Sequence, residues 1–328
     1  MKILAYEQVT GGGMLGDKRM SALAPEGDAM LRALLDDLTA VAGVEVSAMR
    51  DARLGADLPA TLLPVGSASG FWPAFRNAMR NVDAVWPIAP EQDGILLRLT
   101  DEIVQSGRIL LGCRPDAVKI AASKRATADI LGRAGVASVA CYADEGDIPA
   151  DIGEIVVKPD DGAGCQDTLL FRDRQQLRKW AGENARGGLV YQPYINGDAR
   201  SLSLLCCDGR ARVLACNRQK VRVAGGVFEF SGVSVGAITD VDGYAQLAGK
   251  IAQALPGLWG YCGVDFIETN AGPIVIEVNP RLTTSYAGLR QATGMNPAKL
   301  VLDLPGSIVA AGKRQRTRAI EVEVAHAG

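Results

Sequence analysis

Short apolar runs alternate with amphipathic ones along the first third of the chain. KILAYE, VEVSAM, VDAVWPIAP and RILLGC are compact enough for strands, whereas DAMLRALLDDLTAVA, the stretch Trp72 to Met79 and EQDGILLRLTDEIVQSG repeat their apolar positions with the helical period. Such alternation predicts an open, largely parallel sheet covered by helices, with ligands binding outside the C-terminal strand ends. Two of those ends carry candidate chemistry. One is Tyr6-Glu7 followed by Thr10-Gly11-Gly12-Gly13, and the other runs from Pro87 to Glu91. The triple glycine lacks the G-x-G-x-x-G spacing of a dinucleotide fingerprint and reads as a mobile loop. Glu91 fits either a helix N-terminal acid or a substrate contact.

The pattern changes after Gly112-Cys113-Arg114-Pro115. DAVKIAASKRATADILGRAGV reads as a helical pair, with Ser123 as a cap just before Lys124 and Gly135 as a stop. GEIVVKPDDGAGCQDTLLF then gives a strand, a loop containing Gly162 and Gly164, and a second strand. Lys158 sits inside the apolar run IVVKP, where it must reach solvent or meet an anion. Flexible glycines let backbone N–H groups close over phosphates. After a helix near Gln175 to Trp180 comes an antiparallel set of strands containing Gln192-Pro193-Tyr194-Ile195, a turn at Asn196-Gly197, and Asp198. Pro193 cannot donate a ladder bond, so unpaired backbone groups there could read the edge of a base.

A hairpin is expected between Tyr261 and Asn279, because YCGVDFIE and PIVIEVN flank Asn270-Ala271-Gly272. Folding about Ala271 sets Asp265 across from Glu277. Strict alternation then puts Glu277 and Asn279 on one face and Ile274, Ile276 and Val278 on the core face. Two carboxylates roughly 5 Å apart would repel by about 3 kcal/mol, so a cation is expected between them. Two carboxylates and an amide suit a hard divalent ion, Mg²⁺ or alternatively Mn²⁺, that completes its shell with water and phosphate oxygens. A merely acidic surface hairpin is the competing reading.

Composition narrows the chemistry. With 328 residues, 48% of them hydrophobic, and a formal net charge of -2, the chain can bury more than one core and lacks the basic excess of a nucleic-acid binder. No apolar run reaches membrane-span length, and MKILAYEQV enters a strand pattern directly, so no membrane partner and a cytoplasmic location are expected. The seven cysteines include no C-x-x-C pair and read as small buried hydrophobes in a reducing compartment. The single histidine, His326, lies near the C-terminus, which argues against histidine-based nucleophilic sites and His-ligated zinc. Carboxylates, lysines, arginines, backbone amides and a bound metal are left to do the work.

Taken in order, Lys124, Lys158, the Gly-rich loop, Gln192-Pro193-Tyr194-Ile195, Asp198, Asp265, Glu277, Asn279 and Arg281 resemble the ATP-grasp superfamily, most specifically in the E-x-N-P-R ending. The resemblance covers about Asp116 to Ala310. It implies an α/β and α+β architecture, in which a small Rossmann-like pre-ATP-grasp domain (1–115) precedes an ATP-grasp domain (116–328) divided into a smaller lobe (116–190) and a larger one (191–328). By the same resemblance, Lys124 and Lys158 contact ATP phosphates and the Asp161–Thr168 loop, with Gly162 and Gly164, closes over them. Gln192, Tyr194 and Ile195 hold the adenine, and Asp198 the ribose. Asp265, Glu277 and Asn279 bind Mg²⁺, while Arg281 steadies the transferred phosphoryl group. Many members carry an acidic residue where Gln192 stands.

Most members join a carboxylate to an amine through an acyl phosphate, releasing ADP and phosphate, and positioning and charge stabilisation suffice for such transfer. KILAYEQVTGGG, PEGDAMLRALLDDL, WPIAPEQDG and NRQKV are further similar to the tyramine–L-glutamate ligase family of methanofuran and methylofuran biosynthesis. That similarity implies glutamate as the acid and tyramine or tyrosine as the amine, with Glu7, Glu91, Arg218, Arg281 and Ser285 as candidate substrate contacts and a homodimer as the candidate assembly. The alternatives are a ligase for another amino acid or peptide, and a non-catalytic ATP-binding regulator. A biotin-carboxylase-like role is disfavoured, because the histidine that such chains carry soon after N-P-R is absent here.

Overall fold

The computed structural model describes residues 1–162, 164–184, 187–304 and 317–324. His326 and Ala163 of the Gly-rich loop fall outside them. The first sheet contains β1 (Lys2–Glu7), β2 (Glu45–Asp51), β3 (Thr61–Val65), β4 (Ala84–Ile88) and β5 (Ile109–Leu110), all parallel, in the order β3-β2-β1-β4-β5. The chain winds one way from β1 to β3 and the other way through β4 and β5. The crevice where the winding reverses lies beyond Glu7 and Ile88, where a ligand is expected in such sheets. β3 went unread in the sequence because Pro64 interrupts its short apolar run; it lies at the sheet edge, where a proline is tolerated.

Helix α1 (Met20–Thr39) begins eight residues before the amphipathic run that announced it and contains Pro25 near its start. Its buried residues Gly27, Met30, Leu31, Leu34, Leu35 and Leu38 follow the helical period and face Ile3, Ala5, Ala48 and Trp86 of the first sheet. Helices α2 (Phe71–Met79) and α3 (Ile95–Gln105) cover the same sheet.

The Thr10-Gly11-Gly12-Gly13 segment is not the open loop expected. Val9–Gly13 forms a buried π-helical turn. A Cβ on Gly11 would come within 2.7 Å of the Tyr6 ring, and Gly12 has a φ of 93° against the Val65 side chain. The glycines let the backbone pack against strand side chains where no larger residue fits.

Helices α4 (Pro115–Ala121) and α5 (Lys124–Arg133) lead into the second sheet, and Ser123 caps α5 by accepting from the Ala126 N–H. The strands are β6 (Ile155–Pro159), β7 (Leu169–Phe171), β8 (Leu189–Pro193), β9 (Asp198–Cys207), β10 (Arg210–Ala224), β11 (Val227–Ile238), β12 (Gly260–Thr269), β13 (Gly272–Asn279) and β14 (Ile320–Glu323). Their order is β13-β12-β9-β10-β11-β7-β6-β8, with β14 beside β11. Helices α6 (Arg174–Glu183), α7 (Ala245–Ala254), α8 (Tyr286–Thr293) and α9 (Pro297–Leu302) complete the described elements. β8 pairs with β6 from Leu189 to Pro193, so a lobe boundary at 190 would cut a strand, and the natural break is the turn that follows. Among the described residues, the β6–β8 strands join the wide sheet through one ladder pair, Val227 with Leu169, and the segment after α5 bridges to Val275 and Tyr191.

Two large apolar clusters each draw residues from both sheets. One brings Leu4, Phe75 and Leu99 together with Leu202, Cys262 and Phe266; the other joins Leu34 and Trp86 to Tyr261, Tyr286 and Leu289. Each fully buried leucine or phenylalanine contributes about 1.5–3 kcal/mol, so the shared core binds the two sheets into one body. All seven cysteines are free; five are buried, whereas Cys141 and Cys165 are only half-buried. Among the described residues no helix is long and apolar enough to cross a membrane.

Candidate active site

A cavity of about 500 Å³ opens between the two sheets, lined by the C-terminal ends of β1 and β4, the Gly-rich loop, and one face of β9, β10, β12 and β13. Its floor is the expected hairpin, with one difference that matters. The turn is the two-residue link Asn270-Ala271, closed by Thr269 opposite Gly272, which alone would set Asp265 against Ile276. A β-bulge intervenes between Asp265 and Phe266, and Asp265 is brought opposite Glu277. The bulge breaks strict alternation. Val275 and Val278 enter the core, while Ile276 lines the cavity beside Glu277 instead of facing the core as expected.

Asp265, Glu277 and Asn279 converge there. The Gln219 side-chain amide donates to Asp265 Oδ1 at 2.9 Å and the Asn279 amide to Oδ2 at 3.1 Å. Burial first, and then the neighbouring Glu277 carboxylate, push the Asp265 carboxyl up to about 8. Burial would raise Glu277 as well, but Lys124 and Lys158 outweigh it and hold that carboxyl below its ordinary value. Two carboxylates competing for one region, one of them driven toward its neutral form, are the donor set that a divalent cation would relieve. Among the described residues no group of three or more His, Cys, Asp and Glu could hold a metal ion on its own.

The cationic wall faces this pair. Lys124 is 6% exposed; its Nζ donates to the carbonyls of Asp160 at 3.2 Å and Gly162 at 2.5 Å and lies 3.5 Å from Glu277. Lys158 reaches the cavity from the buried strand β6, and desolvation lowers its pKa despite Glu277 nearby. Gly162 and Gly164 both line the cavity. Arg281 donates from Nε and Nη2 to one oxygen of Glu91, at 3.1 and 3.0 Å, and from Nη1 to the Leu282 carbonyl at 3.1 Å.

Other expected residues divide. Gln192, Tyr194, Ile195, Glu7 and Ser285 line the cavity. Gln192 is 2% exposed and its amide donates to Cys141 Sγ. The Tyr194 N–H is already given to the Glu154 carbonyl, so only the remaining backbone groups of that segment are left for a base. Ser285 shares a hydroxyl network with Ser203, Tyr261 and Thr283. Glu91 stands behind Arg281 and does not line the cavity; its Oε1 is buried without a hydrogen-bond partner among the described residues.

Asp198 and Arg218 do not join the site. Asp265 pairs with Ser201 and Ser201 with Asn217, so these share the cavity face, whereas Arg200 and Arg218 share the other and do not line the cavity. Asp198 pairs with Glu268 on that outer face, is exposed, and bridges to Arg200 at 3.0 Å. Sequence reasoning missed Gln219 and Glu26. Arg218 is excluded only by the register of β10 and β9 against Asp265, and the E-G-D run within α1 was the only signal for Glu26.

The chain matches the ATP-grasp domain family over residues 121–285 and the pre ATP-grasp 3 domain over residues 44–118. It is 31% identical over 212 residues to the tyramine–L-glutamate ligase of Methanocaldococcus jannaschii, a match covering 64% of this chain and 59% of that protein. The chain thus spans about three-fifths of that curated relative's length. An ATP-grasp superfamily protein from Archaeoglobus fulgidus superposes with a TM-score of 0.73 at 22% identity, covering 99% of this chain and all of that one. The L-amino acid ligase of Bacillus licheniformis superposes with a TM-score of 0.66 at 16% identity over 92% of this chain and 73% of its own. With the hairpin, the paired lysines and the family match in agreement, the chain belongs to the ATP-grasp family.

Proposed function

We propose that this protein is an ATP-dependent acid–amine ligase that joins L-glutamate to tyramine or tyrosine, in methanofuran- or methylofuran-type cofactor formation, with residues 1–115 and 116–328 serving as its two domains. One observation carries the reading: a single cavity gathers Lys124, Lys158 and Arg281 on one wall and Asp265, Glu277 and Asn279 on its floor. The relative's name supplies the substrate pair.

Lys124, Lys158 and the backbone about Gly162 and Gly164 would hold the ATP phosphates, and Gln192, Tyr194, Ile195 and the apolar Ile276 the base. Asp265, Glu277 and Asn279 would hold Mg²⁺, with Mn²⁺ an acceptable substitute. The ion would neutralise phosphate charge during transfer. A carboxylate is a poor acyl donor, so the acid attacks the γ-phosphorus of ATP and becomes an acyl phosphate. The amine then displaces phosphate. Arg281, held from behind by Glu91, stabilises charge developing on the transferred group.

The test is mass spectrometry of products after incubation with ATP, Mg²⁺, glutamate and an amine panel including tyramine and tyrosine. A glutamyl amide formed together with ADP is expected. Tight ATP binding with no turnover for any acid and amine would replace the ligase with a nucleotide-binding regulator.

A further inference from the structure

We propose that the arm of the cavity built by the first domain seats the amine co-substrate, with Glu7 and Glu26 holding its ammonium group and Glu26 taking a proton from it as it attacks. This rests on the ligase reading above.

The cations that the hairpin carboxylates do not neutralise face two carboxylates of the first domain, and Glu26 lies close enough to Arg281 to help hold its guanidinium charged. Lys124, Lys158 and Arg281 come from the second domain, and Glu7 and Glu26 from the first. The ATP phosphates and the acid's carboxylate belong with the cations; both would be repelled by the opposite wall.

Glu7 is 2% exposed, and its carboxyl group is fixed in place: Oε1 accepts from the Val9 N–H at 3.0 Å, and Oε2 from the N–H and hydroxyl of Thr10, both at 2.7 Å. A Cβ at Gly27 would lie 2.6 Å from Glu7 Oε2, so this carboxylate rests directly on the α1 backbone next to Glu26. Glu26 accepts from the Thr284 hydroxyl through one oxygen. Its other oxygen accepts nothing among the described residues. Glu7 accepts three donors that favour its charged form, although burial outweighs them and raises its carboxyl above the ordinary value, while Glu26 keeps an acceptor free for a proton.

Val9, Leu15, Leu23 and Met30 line the same arm. Arg19, a cation there, is bound to Asp17 at 2.7 Å. The arm therefore suits a primary amine carried on an apolar body and disfavours an amino acid, whose own carboxylate would lie against Glu7 and Glu26. Tyramine-like amines fit this description and tyrosine does not.

The step balances as follows. One N–H bond breaks toward Glu26, which becomes a carboxylic acid. The freed nitrogen lone pair forms the C–N bond to the acyl carbon. The C–O bond to phosphate breaks, phosphate leaves with that electron pair, and the second nitrogen proton goes to the departing phosphate. Release of the Glu26 proton to solvent resets the site.

Hydroxylamine separates this proposal from the reading beneath it, because it is largely uncharged at neutral pH and needs no ammonium seat to trap an acyl phosphate. Wild-type protein with ATP, Mg²⁺ and glutamate should give a hydroxamate; none would remove the ligase reading and the amine seat with it. In E26Q, amide formation with tyramine should fall about 100-fold, far more than hydroxamate formation does, and the KM for the amine should rise about 10-fold or more while the KM for ATP stays within about two-fold. E7Q should raise the amine KM in the same direction, and E26D should recover part of the loss. Equal losses of amide and hydroxamate in E26Q, an unchanged amine KM, or equal use of tyrosine and tyramine by the wild type would overturn the proposal.

Discussion

Both hydrogen bonds that Arg281 sends to the first domain end on one oxygen of Glu91, from Nε at 3.1 Å and from Nη2 at 3.0 Å. Neither side chain is free to turn: their exposures are 12% and 7%. Burial pushes the guanidinium pKa down, and Glu91 first, then Glu26 and Glu277, more than restore it, so the cavity keeps a fixed positive charge anchored from the opposite domain. In E91A that charge loses its partner. A lost buried pair costs about 3–5 kcal/mol, and kcat is expected to fall by roughly 10- to 100-fold as Arg281 drifts. E91Q should lose less of both. Thermal denaturation and steady-state ADP release check the pair of variants, and a kcat in E91A equal to that of wild type would show that Arg281 needs no such anchor.

Replacing Glu277 with Gln keeps its shape and removes the charge that Lys124 and Lys158 attend. Turnover should drop at least about 100-fold with the far-ultraviolet circular dichroism spectrum unchanged, because charge at a metal-bridged phosphoryl site is worth several kcal/mol. Near-normal ADP release by E277Q would sink the metal assignment.

Lys158 holds a buried ammonium whose pKa desolvation already lowers, so substitution by Met should leave folding intact or improve it. Nucleotide affinity should weaken by about 10-fold, the worth of one charge-assisted hydrogen bond. Calorimetric titration with ATP decides the matter. Unchanged affinity would reduce Lys158 to a strand lysine that merely borders the cavity.

Asp37 on α1 accepts from the Tyr286 hydroxyl at 3.0 Å and from Arg290 Nη1 at 3.1 Å on α8, joining the two domains. Burial dominates these bonds and raises its carboxyl from 3.8 to about 6. A raised carboxyl contributes its stability fully below the unfolded pKa and loses it as pH climbs through the folded one. The change amounts to about 3 kcal/mol between pH 4 and 7. The D37N variant should flatten that part of the Tm-versus-pH curve; a curve identical to wild type would place the titration elsewhere.

G12A tests the turn between β1 and α1. A side chain at φ 93° facing Val65 should destabilise the fold by about 1–3 kcal/mol, read from denaturant unfolding.

The sequence disclosed most where local rules act alone. Apolar runs marked four of the five strands of the first sheet, Ser123 announced its cap, and Asp265, Glu277, Asn279, Lys124 and Lys158 all reached one cavity. It disclosed least where neighbours decide. The Asp265–Glu277 pairing was expected from a loop folding about Ala271 but is produced by a tighter turn and a compensating bulge, two changes that local sequence cannot distinguish from none. Arg218 attracted notice by its charge, yet ladder parity, which depends on two other strands, turns it away and turns Gln219 in. The glycines after Thr10 looked like slack chain because nothing nearby in sequence reveals Tyr6 and Val65 pressing on them.

Among the described residues, Val227 opposite Leu169 is the one strand-ladder pair between the strands that carry Lys158 and the strands that carry Asp265 and Glu277. Two further backbone bonds flank it, from Leu170 N–H to Gly226 and from Phe228 N–H to Thr168. At about 0.5–1.5 kcal/mol net for each bond this ladder is light, and the segment after α5 adds a second tie, pairing with Val275 through Ala137 and Val139 and with Tyr191 through Tyr142. Lys158 and the carboxylates of the hairpin are therefore tied together at two places, once through β11 and once through the free edge of β13.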